Sequence, residues 1–393
     1  MKKSIRNYRL FLGRMGLFFF FIPIVVLIAG ILIPDRGFSE KENRVLASRP
    51  ALKADQVASG NFEKQFETYE NDQFPLRDMW ITLKAGTDRL MGKVEENGVY
   101  LGKSGYLMEE FKAPLQQQYD ATVSAMTNFA SRHSDLKQYA LIAPNSVNIL
   151  KSKLPAFAPV QDQNPWLDSL KTSLTDAGVT FIDVRDTFRD HKSEELYYHT
   201  DHHWTTRGAF FAYQDWCGKT GHTVRDEDDY EVKQVSDSFR GSLYSKILDY
   251  DSVYDSIETM QRIPTVEELA SAQLDGYGIT ADGKELEGIY REEYLDKKDK
   301  YAYFFGGNYG EVRIEHTEKK GKGNLLIIKD SFANAFVPFL IEDYDNLYMI
   351  DLRYYSGDMT SYIEENQITD VLVLYNVANF ISDKNIYKLS RGL

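Results

Sequence analysis

The chain has 393 residues, enough for one large domain or two of ordinary size, with 26 Tyr and 23 Phe available to fill a core. Its formal net charge of −13 leaves no basic stripe for phosphates and argues against a nucleic-acid partner. A single cysteine, Cys217, rules out an internal disulfide.

At the N-terminus, Lys2, Lys3, Arg6, Arg9 and Arg14 precede an uncharged apolar run, Met15–Ile33, of 19 residues. At about 1.5 Å per residue this run approaches the roughly 30 Å hydrocarbon thickness of a bilayer. The basic flank predicts an N-terminus kept in the cytoplasm. No small-x-small cleavage site stands where processing would need one, so the run reads as an uncleaved anchor. The expectation is a single-pass protein of the cell membrane: a cytoplasmic basic tail over 1–14, a transmembrane anchor over 15–33, and the remainder outside.

Residues 34–75 read as an extended lead-in followed by a first helix, in which Phe62, Phe66 and Tyr69 stand at helical spacing. A second helix is predicted from the Pro75 break to about Met91, with Met79, Trp80, Leu83 and Leu90 turned inward. Val99–Leu101 and Tyr106–Met108 flank Gly-Lys-Ser-Gly, a hairpin signal. From Tyr119 the pattern becomes α/β. A helix over Tyr119–Arg132 leads to an apolar strand at 138–144, and a helix over Asn164–Ala177 leads to another at 179–183. Near-continuous apolar strands alternating with helices imply a parallel sheet covered on both faces.

Residues 223–310 break this rhythm and read as an insertion or β-rich subdomain, with β-like pieces at Ser242–Lys246 and Tyr301–Gly306. The alternation resumes over 311–393. A strand at 324–331 runs into a helix from about Phe332 to Ile341; strands follow at 346–352 and 371–375, with a helix over 359–366 between them. The domain is therefore expected in two parts, 76–222 and 311–393, around the insertion.

Tyr-Tyr-His-Thr-Asp-His-His-Trp, residues 197–204, holds three of the seven histidines beside a carboxylate, just before a helix predicted over Thr205–Trp216. A serine at a strand-to-helix junction, such as Ser331, needs an imidazole base, and the imidazole needs an orienting acceptor. Asp201-x-His203 supplies both. The helix N-terminus after Ser331 would offer backbone N–H groups to an oxyanion. Asn376, ending a strand, and Asn308, in Phe-Phe-Gly-Gly-Asn, are the candidate side-chain donors. Each residue alone has a plainer explanation: Ser331 or Asp201 could cap a helix, and His199, Asp201, His202 and His203 carry metal-ligand chemistry. Neighbouring histidines in one turn seldom converge on one ion, and no second His/Asp cluster with ligand spacing is present. Neither a metal nor another cofactor is expected.

The Asp-His-His-Trp string resembles the signature of the DHHW proteins of Gram-positive bacteria. These are relatives of the alginate O-acetyltransferase proteins with an SGNH-hydrolase-like domain. Ser39–Ala47, Asp72–Arg77, Asn97–Gly102, Phe239–Tyr244 and Lys329–Phe332 are similar to further blocks of the family, in the same order. The resemblance implies an SGNH-like α/β/α sandwich with circularly reordered blocks, in which Ser331 is the nucleophile, His203 the base and Asp201 its partner. Lys329 stands where the Gly-Asp-Ser block has glycine, and Tyr375-Asn376 lacks the usual glycine and following Asp. Arg353, Tyr354, Tyr198 and His202 are candidate substrate contacts. The implied activity is O-acetylation of an exported polysaccharide, beside a membrane-bound O-acyltransferase that brings acetyl groups across the bilayer. A carbohydrate acetylesterase with the same triad, or a non-catalytic scaffold binding glycan or acyltransferase, are the alternatives.

Overall fold

The computed structural model describes residues 2–248, 252–265 and 276–390, with side chains from Arg6 onward. The chain divides into two compact units, residues 1–92 with 248–250, and residues 93–247 with 251–393.

The first unit begins with a 31-residue helix, Lys2–Leu32, whose stretch Arg6–Leu32 is long and apolar enough to cross a membrane. The lead-in behind it is tightly cross-linked rather than extended. Asp72, buried on the helix Asn61–Gln73, accepts from Arg44 and, at 2.8 Å, from the Ala47 amide. Arg77 pairs with Glu42, and Arg36 grips Asp78 at 3.0 and 3.1 Å. The helix Arg77–Leu90 turns its apolar side outward: Met79, Trp80, Leu83 and Leu90 are all exposed, and Ala85 is the buried residue. This corrects the inward orientation expected from its periodicity. A 3.6-residue repeat identifies an apolar face but not what covers it.

The second unit is built on a large, mostly parallel sheet. Five strands run parallel, in the order Asn346–Ile350, Asn324–Lys329, Asp370–Asn376, Lys137–Ala143 and Thr180–Phe181. The central ones are buried almost end to end, which explains their unbroken apolar composition. Glu311–His316 joins Asn346–Ile350 antiparallel and carries Tyr277–Ala281 and Lys284–Leu286 outside it, so the sheet is not wholly parallel as expected. From Asn324–Lys329 the chain crosses to Asn346–Ile350 on one side and returns to Asp370–Asn376 on the other. This reversal of direction falls at the C-terminal ends of Asn324–Lys329 and Asp370–Asn376, the position where doubly wound sheets place their sites.

Residues 223–310 do not form one β-rich body. Tyr230–Phe239 and Asp255–Arg262 make a separate antiparallel pair with bulges, whereas Tyr277–Ala281 and Lys284–Leu286 belong to the main sheet. Ser242–Ile247 is helical, not β-like, because Leu243 and Ile247, one turn apart, bury together against Val99 and Leu107. Lys300–Tyr303 is a 3-10 turn. The expected hairpin is present as Val99–Leu101 paired with Leu107–Glu109, extended by Glu95–Glu96 to three strands.

Candidate active site

Residues 197–204 form a loop closed at its base. Tyr197 bridges Trp204, and the Tyr198 amide donates to the His203 carbonyl at 3.2 Å. At the tip, Asp255 accepts from the His199 amide at 2.6 Å and from the Thr200 amide at 2.8 Å, fixing the backbone from the neighbouring strand. Thr205, not Asp201, caps the following helix Thr206–Thr220, its Oγ1 accepting from the Gly208 amide at 3.1 Å. Asp201 is left for other partners. Its Oδ1 lies 2.5 Å from His203 Nδ1 and accepts from the His203 amide at 3.0 Å. Its Oδ2 accepts from the Ser242 amide at 2.7 Å.

On the other side of the ring, His203 Nε2 lies 2.7 Å from Ser331 Oγ. Asp201, His203 and Ser331, the last two separated by 128 residues, thus make one continuous buried chain of hydrogen bonds. Burial pushes the His203 imidazole down, and His202 adds to this; Asp201 works against both, and the outcome is about 4. Burial also opposes the Asp201 carboxylate. The charges of His203 and His202 and the hydrogen bonds from His203 and Ser242 outweigh it and hold the group well below the usual carboxylate range. A neutral imidazole beside an ionised carboxylate is the state in which a base can take a hydroxyl proton.

Ser331 follows the strand Asn324–Lys329, and the α-helix behind it is only one turn, Ala333–Phe336, continued as a 3-10 segment to Leu340. The helix expected from about Phe332 to Ile341 is therefore present only as this short composite, and the amides of Phe332, Ala333 and Asn334 are engaged. Phe332 N donates to Asp330 Oδ1 at 2.9 Å, Ala333 N to the Asp330 carbonyl at 3.3 Å and Asn334 N to the Ser331 carbonyl at 3.2 Å. Asp330 also accepts from the Asn376 amide at 2.9 Å and Asn379 Nδ2 at 2.8 Å, tying the serine turn to the adjacent strand end. Asn376 Oδ1 caps the helix Val377–Ser382, while its Nδ2 is buried without a hydrogen-bond partner among the described residues.

The other expected site residues divide. Asn308 is exposed and its carboxamide oxygen accepts from Lys329 Nζ at 3.3 Å, so it serves the lysine. Lys329, in the glycine position of the block, is fully buried, donates to Asn334 Oδ1 at 2.6 Å and is pushed down to about 8 by burial. His202 sits at the rim, its ring 3.9 Å from that of His203 and its Nδ1 2.6 Å from Ser242 Oγ. Arg353 is held by Asp351 in a two-point pair at 2.9 and 2.6 Å, and Tyr354 beside it is exposed. Tyr198 is buried, edge-on against Phe239 and Tyr301. Asp201, His202 and His203 offer three metal-ligand atoms within 4.8 Å of one another. Both His203 nitrogens, however, are already directed at Asp201 and Ser331.

Two supporting groups were not anticipated in these roles. Tyr301 stacks on His203, and Gly241 lets the backbone lie against Asp201, since a Cβ there would fall 2.2 Å from Oδ2. Gly241 stands in the Phe239–Tyr244 block, and its contact with Asp201 joins residues 40 apart that no local pattern relates.

No curated protein sequence matches the chain. Among solved structures, a DHHW family protein from Eubacterium siraeum superposes with a TM-score of 0.63 at 22% identity, covering 76% of this chain and 97% of its own. Bacillus cereus PatB1, solved with a sulfonyl adduct, gives 0.59 at 21% identity, covering 75% and 99%. The same protein in a second structure gives 0.59 at 22%, covering 73% and 97%. These likenesses establish a shared fold. The sequence pattern of the DHHW protein family matches residues 91–350, two thirds of the chain, and the protein belongs to that family.

Proposed function

We propose that the protein is a membrane-anchored O-acetyltransferase that modifies an exported or cell-envelope polysaccharide, working on the extracytoplasmic side. The observation that carries this reading is the buried chain Asp201–His203–Ser331, with links of 2.5 and 2.7 Å. In this reading the second unit is an SGNH-like α/β/α sandwich with reordered blocks. Two sets of helices that pack within themselves support that layering: Gln116–Arg132 with Asn164–Asp176 and Val377–Ser382, and Arg185–Asp190 with Thr206–Thr220 and Ala333–Phe336.

The chemistry follows from the groups present. His203 Nε2 takes the Ser331 proton as Oγ attacks the acetyl carbonyl of the donor. For the tetrahedral oxyanion we assign Asn376 Nδ2 as a donor, since it has no hydrogen-bond partner among the described residues and its own backbone amide is tied to Asp330 beside Ser331; to serve, it must turn towards the oxyanion as the donor binds. Collapse expels the donor group, which leaves with the proton from His203, and acetyl-Ser331 remains. A sugar hydroxyl then gives its proton to His203 and attacks the acetyl carbon. Oγ departs, recovers the proton, and the sugar is acetylated. Asp201 holds the ring orientation throughout. No cofactor is required, because the donor is an acetyl ester or thioester presented by a partner, which we take to be a membrane-bound O-acyltransferase. Residues 1–14 stay in the cytoplasm and 15–33 span the bilayer in this arrangement.

Incubation of the full-length protein with an acetyl donor and glycan oligomers tests the reading. Acetylated oligomers are expected; free acetate with no acetylated sugar would make the protein an esterase. Unchanged envelope acetylation in a Ser331→Ala strain, at normal protein level, would make it a scaffold.

A further inference from the structure

The outward apolar face of Arg77–Leu90 is too regular to be incidental. Leu76, Met79, Trp80, Leu83 and Leu90 are 66%, 49%, 48%, 57% and 91% exposed. At 100° per residue they fall within an arc of about 100°, and Met91, 73% exposed, extends it. The opposite side is where the helix packs: Asp78, Ile81, Thr82 and the buried Ala85. A soluble amphipathic helix has the reverse arrangement, since exposing such a stripe to water is costly.

The position of this helix within its own unit identifies what covers the stripe. The run Met15–Ile33 fills the hydrocarbon thickness, so Asp35 and Arg36 emerge at headgroup level. Those two residues are clamped to the helices behind them. Arg36 pairs with Asp78, the Arg36 amide donates to Gln73 Oε1 at 2.9 Å, Gln73 Nε2 donates back to the Arg36 carbonyl at 3.0 Å, and Tyr69 Oη donates to Asp35 at 3.0 Å. Pro75, just before the helix, lies against the last turns of the span, 3.9 Å from where a Cβ on Gly30 would stand. The first turn of Arg77–Leu90 is therefore fixed at the depth where the apolar span leaves the bilayer.

We propose that Arg77–Leu90 is an interfacial helix lying in the outer leaflet, with Leu76, Trp80, Leu83 and Leu90 among the acyl chains and Trp80 at the headgroup boundary. Tryptophan favours that depth, and a helix with one apolar face and charges on its flank, here Lys84, Asp88 and Arg89, binds in the plane of the interface. The anchor and this helix then give two points of attachment, and the juxtamembrane unit is seated on the bilayer rather than tethered above it. The inference goes beyond acyl transfer; it rests on the N-terminal helix lying in the bilayer.

Cys217 is fully buried, so a single introduced cysteine can carry a spin label on the full-length protein. Labels at Leu83→Cys and Leu90→Cys, in proteoliposomes of zwitterionic and anionic phospholipid, are expected to collide several-fold more often with oxygen than with a water-soluble nickel complex. A label at Glu67→Cys, on the exposed polar side of Asn61–Gln73, should show the reverse ratio. A label at Val25→Cys reports separately on the anchor and should be oxygen-accessible. The proposal is overturned if Val25 is in lipid while positions 83 and 90 are as nickel-accessible as 67. It is equally overturned if they are shielded from both reagents, which would place a second copy or another membrane protein on the stripe.

Discussion

Tyr301 lies face to face with His203, ring centroids 3.8 Å apart and planes within 10°, and its hydroxyl donates to the Ser331 carbonyl at 3.0 Å. One side chain thus fixes both the plane of the His203 ring and the backbone of Ser331. Tyr301→Phe keeps the stack and removes the hydrogen bond. The expected result is a fall of roughly tenfold in kcat/KM for acylation, the equivalent of about 1.4 kcal/mol, with a loss of about 1 kcal/mol in stability from the carbonyl left without its donor. Tyr301→Ala frees the ring as well and should cost considerably more. Pre-steady-state acylation by a chromogenic acetyl ester measures both.

Gly241 is expected to matter through Asp201 alone. An added Cβ would lie 2.2–2.6 Å from three atoms of that side chain, so Gly241→Ala must push the carboxylate away from His203. Loss of a correctly placed triad carboxylate lowers turnover on the order of 10³-fold or more. Circular dichroism should show the fold retained while activity falls.

In the proposed mechanism the depressed imidazole of His203 sets the acid limit. Its folded pKa of about 4 lies below the unfolded value of about 6.5, so the base remains neutral as pH falls from 7. Activity should be flat to about pH 5 and decline through about 4. For stability the sign is the same. Between those values the unfolded chain binds the extra proton, so the contribution of His203 is complete above about 6.5 and is lost as pH falls towards 4. A kcat/KM profile with parallel thermal melts reads both; an activity midpoint near 6.5 would contradict the burial argument.

Asn376→Ser separates two roles of one side chain. The serine hydroxyl still caps Val377–Ser382, but the N–H that lacks a partner among the described residues is gone. Acylation should slow on the order of 10²-fold, the effect of removing one oxyanion donor, while Tm moves little.

Lys329→Met removes a buried cation whose nearest acceptor is Asn334 Oδ1 and whose charge faces Asp351 and Asp330. Those buried carboxylates would be left without it. A stability loss of roughly 3 kcal/mol is expected in denaturant unfolding.

Much of this was readable from residue order, and the remainder was not for physical reasons. Leu325–Ile328 and Val371–Leu374 announce strands because both faces of that sheet region are covered and no polar residue interrupts them. Asp201 and His203 are legible as a pair because they are two residues apart. By contrast, Ser242–Lys246 is too short for a period of two to be told from one of 3.6. The contacts of Tyr301 with His203 and of Gly241 with Asp201 exist only after distant segments have packed. The outward face of Arg77–Leu90 could be seen as apolar in the sequence, but its environment could not, because protein core and lipid select the same residues.

The most direct test is the fate of the acetyl group. Full-length protein is mixed with an isotopically labelled acetyl donor, quenched on the millisecond scale and digested, and the peptide carrying Ser331 is examined by mass spectrometry before and after addition of glycan oligomers. The expected result is label on Ser331 that disappears as labelled sugar appears, with both signals lost in Ser331→Ala. Labelled sugar formed by the Ser331→Ala protein at the normal rate would contradict the assignment.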